Sequence, residues 1–340
     1  MLNPTALIDN SRQGPTEASV SVIVPAHNEE GLIGRCISSV QRTGWPSDRL
    51  EVVVVDHQST DATATVARLA GARVIHQTRD KKIGGVRNAG LSAANGQVVA
   101  YVDADCTVPD TWLRSAISIL MSDERVGAVG GPCLSPSNGT WVERCLAPTR
   151  LPPGIIRPAM TLATSSLVVR TALLNELGGF NETLISGEDD DISNRIRQRG
   201  LSLVSANDCH IVHHGYPRTL RELLKKEIWH GSNHIDVRSG LDLTLLLTFV
   251  FLLATAAIPA LLIAVIIKPS ADALLAFAAA VALQFVPPFL FAVKRLRQSI
   301  RDWLLALPLL AVGYAYFMGH GLGVIANFRR RVLMPIRNCA

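Results

Sequence analysis

The sequence predicts an α/β fold: a mostly parallel sheet flanked by helices, followed by transmembrane helices at the carboxyl end. Three observations predict it. Short Val/Ile-rich runs alternate with helix-like stretches between Val20 and about Gly240, polar clusters end those runs, and three long stretches without Asp, Glu, Lys or Arg follow Leu243. Strands covered on both faces read as near-continuous apolar runs, the pattern of a parallel sheet between helix layers. The 340 residues make about two folded units. A hydrophobic fraction of 48% excludes a disordered chain. The net charge of +5 forms no basic stripe interleaved with aromatics, so nucleic acid is not an expected partner. Six scattered cysteines (Cys36, Cys106, Cys133, Cys145, Cys209 and Cys339) contain no CxxC pair and fit a reducing compartment.

Residues 1–18 read as a flexible polar lead with no secretory signal, so the domain that follows is expected in the cytoplasm. Ser19 to Val24 is the first strand, and Glu29 to Thr43 has helical spacing through Leu32, Ile33, Cys36, Ile37 and Val40. Leu50 to Val55 is the second strand, with a helix from about Asp61 to Ala70. Arg73 to His76 is a third strand, Val86 to Asn95 a helix, and Gln97 to Val102 a fourth strand. The head domain is expected over residues 19–232 and a membrane region over 233–340. Leu220 to Trp229 is amphipathic and suits an interfacial helix.

Residues 243–267 and 273–293 are each long enough to cross about 30 Å of hydrocarbon. The basic loop from Lys294 to Arg301 then returns to the cytoplasmic side by the positive-inside rule. The third stretch, 303–328, is transmembrane or re-entrant/interfacial. Its Pro308, its glycines and His320 favour the second option, because a full crossing would put Arg329, Arg330, Arg331 and Arg337 outside.

Ligands of an open parallel sheet sit beyond the carboxyl ends of its strands. Those ends carry Pro25-Ala26-His27-Asn28-Glu29-Glu30, Asp56-His57-Gln58-Ser59-Thr60-Asp61 and Asp103-Ala104-Asp105. Two carboxylates one residue apart repel unless a cation or protons neutralise them, and oxygen ligands beside a phosphate suit Mg²⁺ or Mn²⁺. An exposed turn with solvated carboxylates is the plain alternative. Glu188-Asp189-Asp190-Asp191 complement a helix dipole, and four in a row leave one available as a general base. Lys81-Lys82-Ile83-Gly84-Gly85 before Arg87 is a weak diphosphate signal, with a plain loop as the alternative. His210, His213, His214, His230 and His234 match no zinc spacing; most read as polar surface, with one lining the site.

Taken in order, these segments resemble glycosyltransferase family 2, with its GT-A nucleotide-sugar fold, from about Val20 to Gly231. Val22-Ile23-Val24-Pro25-Ala26-His27-Asn28-Glu29 is similar to the family's opening strand and nucleotide loop, and Val54 to Asp61 to its base-contacting loop. Arg87-Asn88-Ala89-Gly90 and Asp103-Ala104-Asp105 resemble its diphosphate and DxD region. Gly178-Gly179-Phe180-Asn181-Glu182 and Gly187-Glu188-Asp189 resemble its acceptor side.

The resemblance implies nucleotide-sugar binding by Pro25, Ala26, His27, Asn28, Glu29, Asp56, His57, Arg87 and Asp103. It implies metal binding by Asp105, with Asp103 on the ribose or the metal, and catalysis by Asp189 with Glu188. His57, Gln58 and Asn181 depart from the family pattern, the first two in the base-contacting loop; no Q-x-x-R-W segment follows the acidic motif. The implied enzyme is inverting and non-processive. It moves one sugar from a UDP-sugar to a lipid-linked or other glycan acceptor at the cytoplasmic membrane, as in exopolysaccharide synthesis. A polyprenyl-phosphate glycosyltransferase and a non-catalytic membrane subunit with the same fold are the alternatives.

Overall fold

The computed structural model describes residues 18–78, 82–148, 152–237, 243–298 and 306–333. The expected lead falls outside these except for Ala18, as do Lys81, Arg301, Arg337 and Cys339. The elements are β1 (Val20–Ala26), α1 (Ile33–Gln41), β2 (Leu50–Asp56), α2 (Thr63–Leu69), β3 (Arg73–His76), α3 (Ile83–Ala93) and β4 (Val98–Tyr101). There follow β5 (Cys106–Thr107), α4 (Trp112–Ser122), β6 (Val126–Gly130), β7 (Cys133–Leu134), α5 (Trp141–Leu146), β8 (Ile156–Ala159) and β9 (Val168–Arg170). Then come α6 (Thr171–Glu176), α7 (Glu188–Gln198), β10 (Ser202–Ala206) and β11 (Ile211–His213). Four long helices complete the chain: α8 (Leu220–Val237), α9 (Leu243–Ile267), α10 (Ala271–Gln298) and α11 (Ala306–Leu333). Two compact units result. One takes Met1–Pro136 with Arg150–Gly215, the other Ser137–Thr149 with Tyr216–Ala340. The division falls at Gly215, earlier than the expected boundary at 232, and α5 belongs with the helical unit.

In the first unit an eight-stranded sheet runs β3-β2-β1-β4-β9-β6-β10-β8. The pairings β3/β2, β2/β1, β1/β4 and β6/β10 are parallel, whereas β9 and β8 run against their neighbours. Six strands therefore share one direction. Successive residues of a strand face opposite sides, and both sides are covered. Val22, Val24, Val52 and Val54 pack with Ile33 and Ile37 of α1 and with Trp112 and Ile117 of α4. Ile23, Val55, Val99 and Tyr101 pack with Val86 and Leu91 of α3 and with Ile192 and Ile196 of α7. That two-sided burial is why the strands lack apolar/polar alternation. Gly90 lets α3 settle onto β1, because a Cβ there would collide with Ile23. A second, small sheet has the order β5-β11-β7.

The second unit begins with a capping box that starts α5: the Glu143 amide donates to Thr140 Oγ1 at 3.3 Å, and the Thr140 amide donates to Glu143 Oε2 at 2.6 Å. Stretches Leu243–Ile267, Ala271–Leu296 and Ala306–Arg329 are helices long and apolar enough to cross a membrane. Gln284 of α10 donates from Nε2 to Thr255 Oγ1 of α9 and to Tyr314 Oη of α11, both at 3.0 Å.

Candidate active site

The site is assembled where β1, β2 and β4 end together. Register places Ala26 beside Asp56, and the His57 amide donates to the Ala26 carbonyl at 2.8 Å. The two loops clasp each other: the Thr60 amide donates to Asn28 Oδ1 at 2.8 Å, the Asn28 amide to Ser59 Oγ at 3.0 Å, and the Glu29 amide to Thr63 Oγ1 at 2.7 Å. Asn28 and Gln58 hold φ of 56° and 58°, the left-handed region that Asn tolerates and glycine favours. Gln58 secures its turn by donating from Nε2 to the Thr78 carbonyl at 3.0 Å. His27 Nδ1 donates to the His57 carbonyl at 2.7 Å.

These loops and the end of β4 enclose a cavity of about 350 Å³, lined by Pro25, Ala26, His27, Glu29, His57, Arg87, Asp103, Asp105 and His213 among others. Eight of those nine are residues expected from the sequence; His213 is the addition. Burial drives the Glu29 carboxyl up to about 7, helped by Asp105, Asp61 and Asp103 and opposed by His27. Asn28, which is exposed, and Asp56 are not among the lining residues. Asp56 is buried and accepts from His76 Nδ1 at 2.9 Å through Oδ2, while its Oδ1 has no hydrogen-bond partner among the described residues.

The two carboxylates of Asp103-Ala104-Asp105 have different surroundings. Asp105 Oδ2 lies 3.2 Å from His213 Nε2. That contact exists because β11 pairs antiparallel with β5, His213 opposite Cys106, and because the His214 amide donates to the Asp105 carbonyl at 2.8 Å. Ligand atoms of Asp105, Cys106 and His213 lie within 4.8 Å of one another. The Cys133 sulfur, burial and the nearby Asp105 hold the Cys106 thiol far above its ordinary value. Asp105 and His213 would offer a cation a carboxylate and an imidazole, where the sequence led to an oxygen-only set. A carboxylate with an imidazole fits Mn²⁺ better than Mg²⁺.

Asp103 faces Arg87. The buried guanidinium donates from Nη2 to Asp103 Oδ1 at 3.2 Å and from Nη1 to Glu188 Oε1 at 2.6 Å, tying the end of β4 to the start of α7. Burial works against the Arg87 charge, but Asp103, Asp189 and Glu188 together hold its pKa above the ordinary value. Gly187, with φ 85°, turns the chain into α7. Each acidic residue that follows has its own partner: Glu188 on Arg87, Asp190 accepting from Thr161 Oγ1 at 3.0 Å, and Asp191 accepting from Arg195 Nη2 at 2.6 Å. Asp189 Oδ1 accepts from the Thr164 amide at 3.1 Å and from its hydroxyl. Burial raises Asp189 to about 6; Arg87 and Thr164 pull it down, and Glu188 and Asp103 push it up. Glu188 and Asp189 stand outside the cavity lining.

A family model described as glycosyl transferase family 2 matches residues 21–167, and one described as glycosyl transferase family group 2 matches 98–318. The chain is a family 2 glycosyltransferase. The glycosyltransferase AglE of Haloferax volcanii is 31% identical over 64% of this chain and 73% of its own. The pre-mycofactocin glycosyltransferase of Mycobacterium tuberculosis is 26% identical over 68% of this chain, which spans half that relative's length. Among solved structures, the mannosyltransferase PcManGT of Pyrobaculum calidifontis, in complex with GDP-Man and Mn²⁺, has a TM-score of 0.60. It is 22% identical, with 92% of this chain and 88% of that one covered, and so shares the GT-A fold.

Within this family 2 glycosyltransferase, sequence reasoning overlooked Thr164 and did not single out His213. Nothing near either residue forms a motif; strand register brings His213 to Asp105, and the turn before β9 brings Thr164 to Asp189. Gly84 and Gly90 serve packing: they lie inside α3, where a Cβ would press on the Asn181 backbone and on Ile23.

Proposed function

We propose that this enzyme is an inverting, non-processive glycosyltransferase that moves one sugar from a UDP-sugar to a hydroxyl of a lipid-linked saccharide. The observation that carries the reading is the Arg87 bridge, which links Asp103 on the cavity wall to Glu188, the residue before Asp189. His27, Glu29 and His57 line the nucleotide end, and Asp105 with His213 would hold the metal, as Mn²⁺ accompanies GDP-Man in the Pyrobaculum protein. When bound, that cation supplies Lewis-acid stabilisation of charge on the departing diphosphate.

Asp189 takes the proton from the attacking hydroxyl, a role worth about 10²–10⁴-fold. The hydroxyl oxygen bonds to the anomeric carbon as the bond to the diphosphate oxygen breaks, so a single displacement inverts the centre. The Thr164 amide and hydroxyl hold Asp189 Oδ1, which leaves Oδ2 as the basic atom. Arg87 keeps Asp103 and Glu188 oriented in a buried setting where isolated anions would repel. The three apolar helices support a reaction at a membrane, proposed as the cytoplasmic membrane with the catalytic unit in the cytoplasm. There the effective concentration of a lipid acceptor is raised.

Membranes carrying the enzyme, incubated with labelled UDP- and GDP-sugars and extracted for lipid, test the reading. Label from a UDP-sugar in the lipid fraction, lost in Asp189→Asn, supports it. Undiminished transfer by Asp189→Asn would point instead to a phosphate acceptor, which needs no base.

A further inference from the structure

We infer that α11 does not cross the membrane: it lies with α8 along the membrane–water boundary, and the α9–α10 hairpin makes two crossings. The observation is the register of α8 on α11. A Cβ on Gly319 would sit 2.8 Å from the Leu224 carbonyl oxygen, and a Cβ on Gly323 would collide with the Ile228 carbonyl. Asn327 Nδ2 donates to the Ser232 carbonyl at 2.5 Å. The pairs Leu224/Gly319, Ile228/Gly323 and Ser232/Asn327 climb both helices together one turn at a time, so the helices run parallel at backbone contact. Glycines four apart permit such an approach.

That register fixes the depth of α8's outer face, where Arg221, Glu222, Lys225 and Lys226 are exposed. If Ala306–Arg329 were the spanning segment, its midpoint would fall near Phe317 and Met318. The register then sets Glu222 and Leu223 at that level, with Arg221 one residue before them, about 15 Å from either edge of the hydrocarbon. Long side chains reach the interface only from near the ends of a span. What remains of α11 before that level, Ala306 to Tyr316, is only about 16 Å long at 1.5 Å per residue, too short for a crossing.

The outward surface of the pair matches an interface instead. Leu322, Ile325 and Phe328 form an exposed apolar stripe on α11, turned from the α8 contact. Arg221, Lys225 and Lys226 line α8 with Trp229, 53% exposed, one turn beyond Lys225. Apolar side chains entering the acyl boundary beside cations and an indole at headgroup depth are the pattern of an in-plane amphipathic surface, and the cations suit anionic headgroups. α11 is one continuous helix, which favours the in-plane arrangement over a re-entrant turn. Two crossings return the chain after Gln298 to the side from which α9 set out. Lys294, Arg295 and Arg329 then share that side, in keeping with the positive-inside rule.

The test uses the full chain in its membrane with three epitope tags, one before Met1, one after Ala340 and one in the Pro269–Ser270 turn. Antibody access in sealed vesicles of known orientation should find both end tags on one face and the turn tag on the other. End tags on opposite faces would overturn the inference for α11, and a turn tag on the same face as both would overturn the hairpin crossing. Cys339 gives the same reading without an inserted tag: an impermeant maleimide should label it only from the face that exposes the first tag, and labelling from the other face contradicts the inference.

Discussion

Arg87 Nη1 lies 2.6 Å from Glu188 Oε1, a contact that spans 101 positions of the chain and joins α3 to the first residue of α7. The same guanidinium holds Asp103 through its other terminal nitrogen. Lysine cannot fork in this way. Arg87→Lys should lower transfer by at least about 100-fold, more than one lost hydrogen bond explains. Arg87→Ala leaves two partly buried carboxylates uncompensated and should cost about 3–5 kcal/mol of stability. Transfer assays and denaturant unfolding check both; wild-type behaviour of Arg87→Lys would remove the bridge from the account.

His213 lies 3.2 Å from Asp105 and is the nitrogen donor of the proposed cation site. His213→Ala should raise the Mn²⁺ concentration needed for half-maximal activity by about 10-fold or more, with less change in the Mg²⁺ response. Excess chelator should silence the wild type, and added Mn²⁺ should restore it more fully than Mg²⁺. Titrating each ion into chelated enzyme gives the answer directly. Full activity in chelator would contradict the metal role of Asp105.

The strands β1, β2 and β4 were legible because burial on both faces writes Val-rich apolar runs, and the loops after them because strand ends carry the polar clusters. The reversed strand β9 was not: it has three residues, Val168–Arg170, and is held between β4 and β6 by tertiary pairing alone. His213 shows the same limit at the site. Three histidines between His210 and His214 were visible, but only the pairing of β11 with β5 decides which one faces Asp105. The acidic run at α7 was legible as a helix start. Its division into four separately partnered carboxylates required coordinates, since Arg87, Thr164, Thr161 and Arg195 come from different places in the chain.

Burial, set against the pull of Arg87 and Thr164, leaves Asp189 at about 6. A base must be ionised, so transfer should fall as pH drops below about 6. Thr164→Val removes the hydroxyl bond that stabilises the anion and should move that limb upward, while Thr164→Ser keeps it in place. The sign for stability is opposite. The folded state favours the protonated form, so this carboxyl's contribution is fully present below its ordinary 3.8 and is lost as pH rises through about 6. A pH–rate profile of the three proteins checks the first statement, and a limb unmoved by Thr164→Val would sink it.

Gly90 separates packing from chemistry. A Cβ there would collide with Ile23 of β1, so Gly90→Ala should destabilise the first unit by about 1–3 kcal/mol. Activity per folded molecule should change little. Thermal unfolding beside an active-fraction assay distinguishes the two; loss of transfer without loss of stability would give Gly90 a role in the donor site.

The most direct measurement pairs nucleotide binding with turnover in Asp189→Asn. Equilibrium binding of UDP in the presence of Mn²⁺ should match wild type within about threefold, while sugar transfer falls by about 10²–10⁴-fold. A variant that binds UDP and still transfers sugar at the wild-type rate would contradict the assignment of the base, and with it the mechanism.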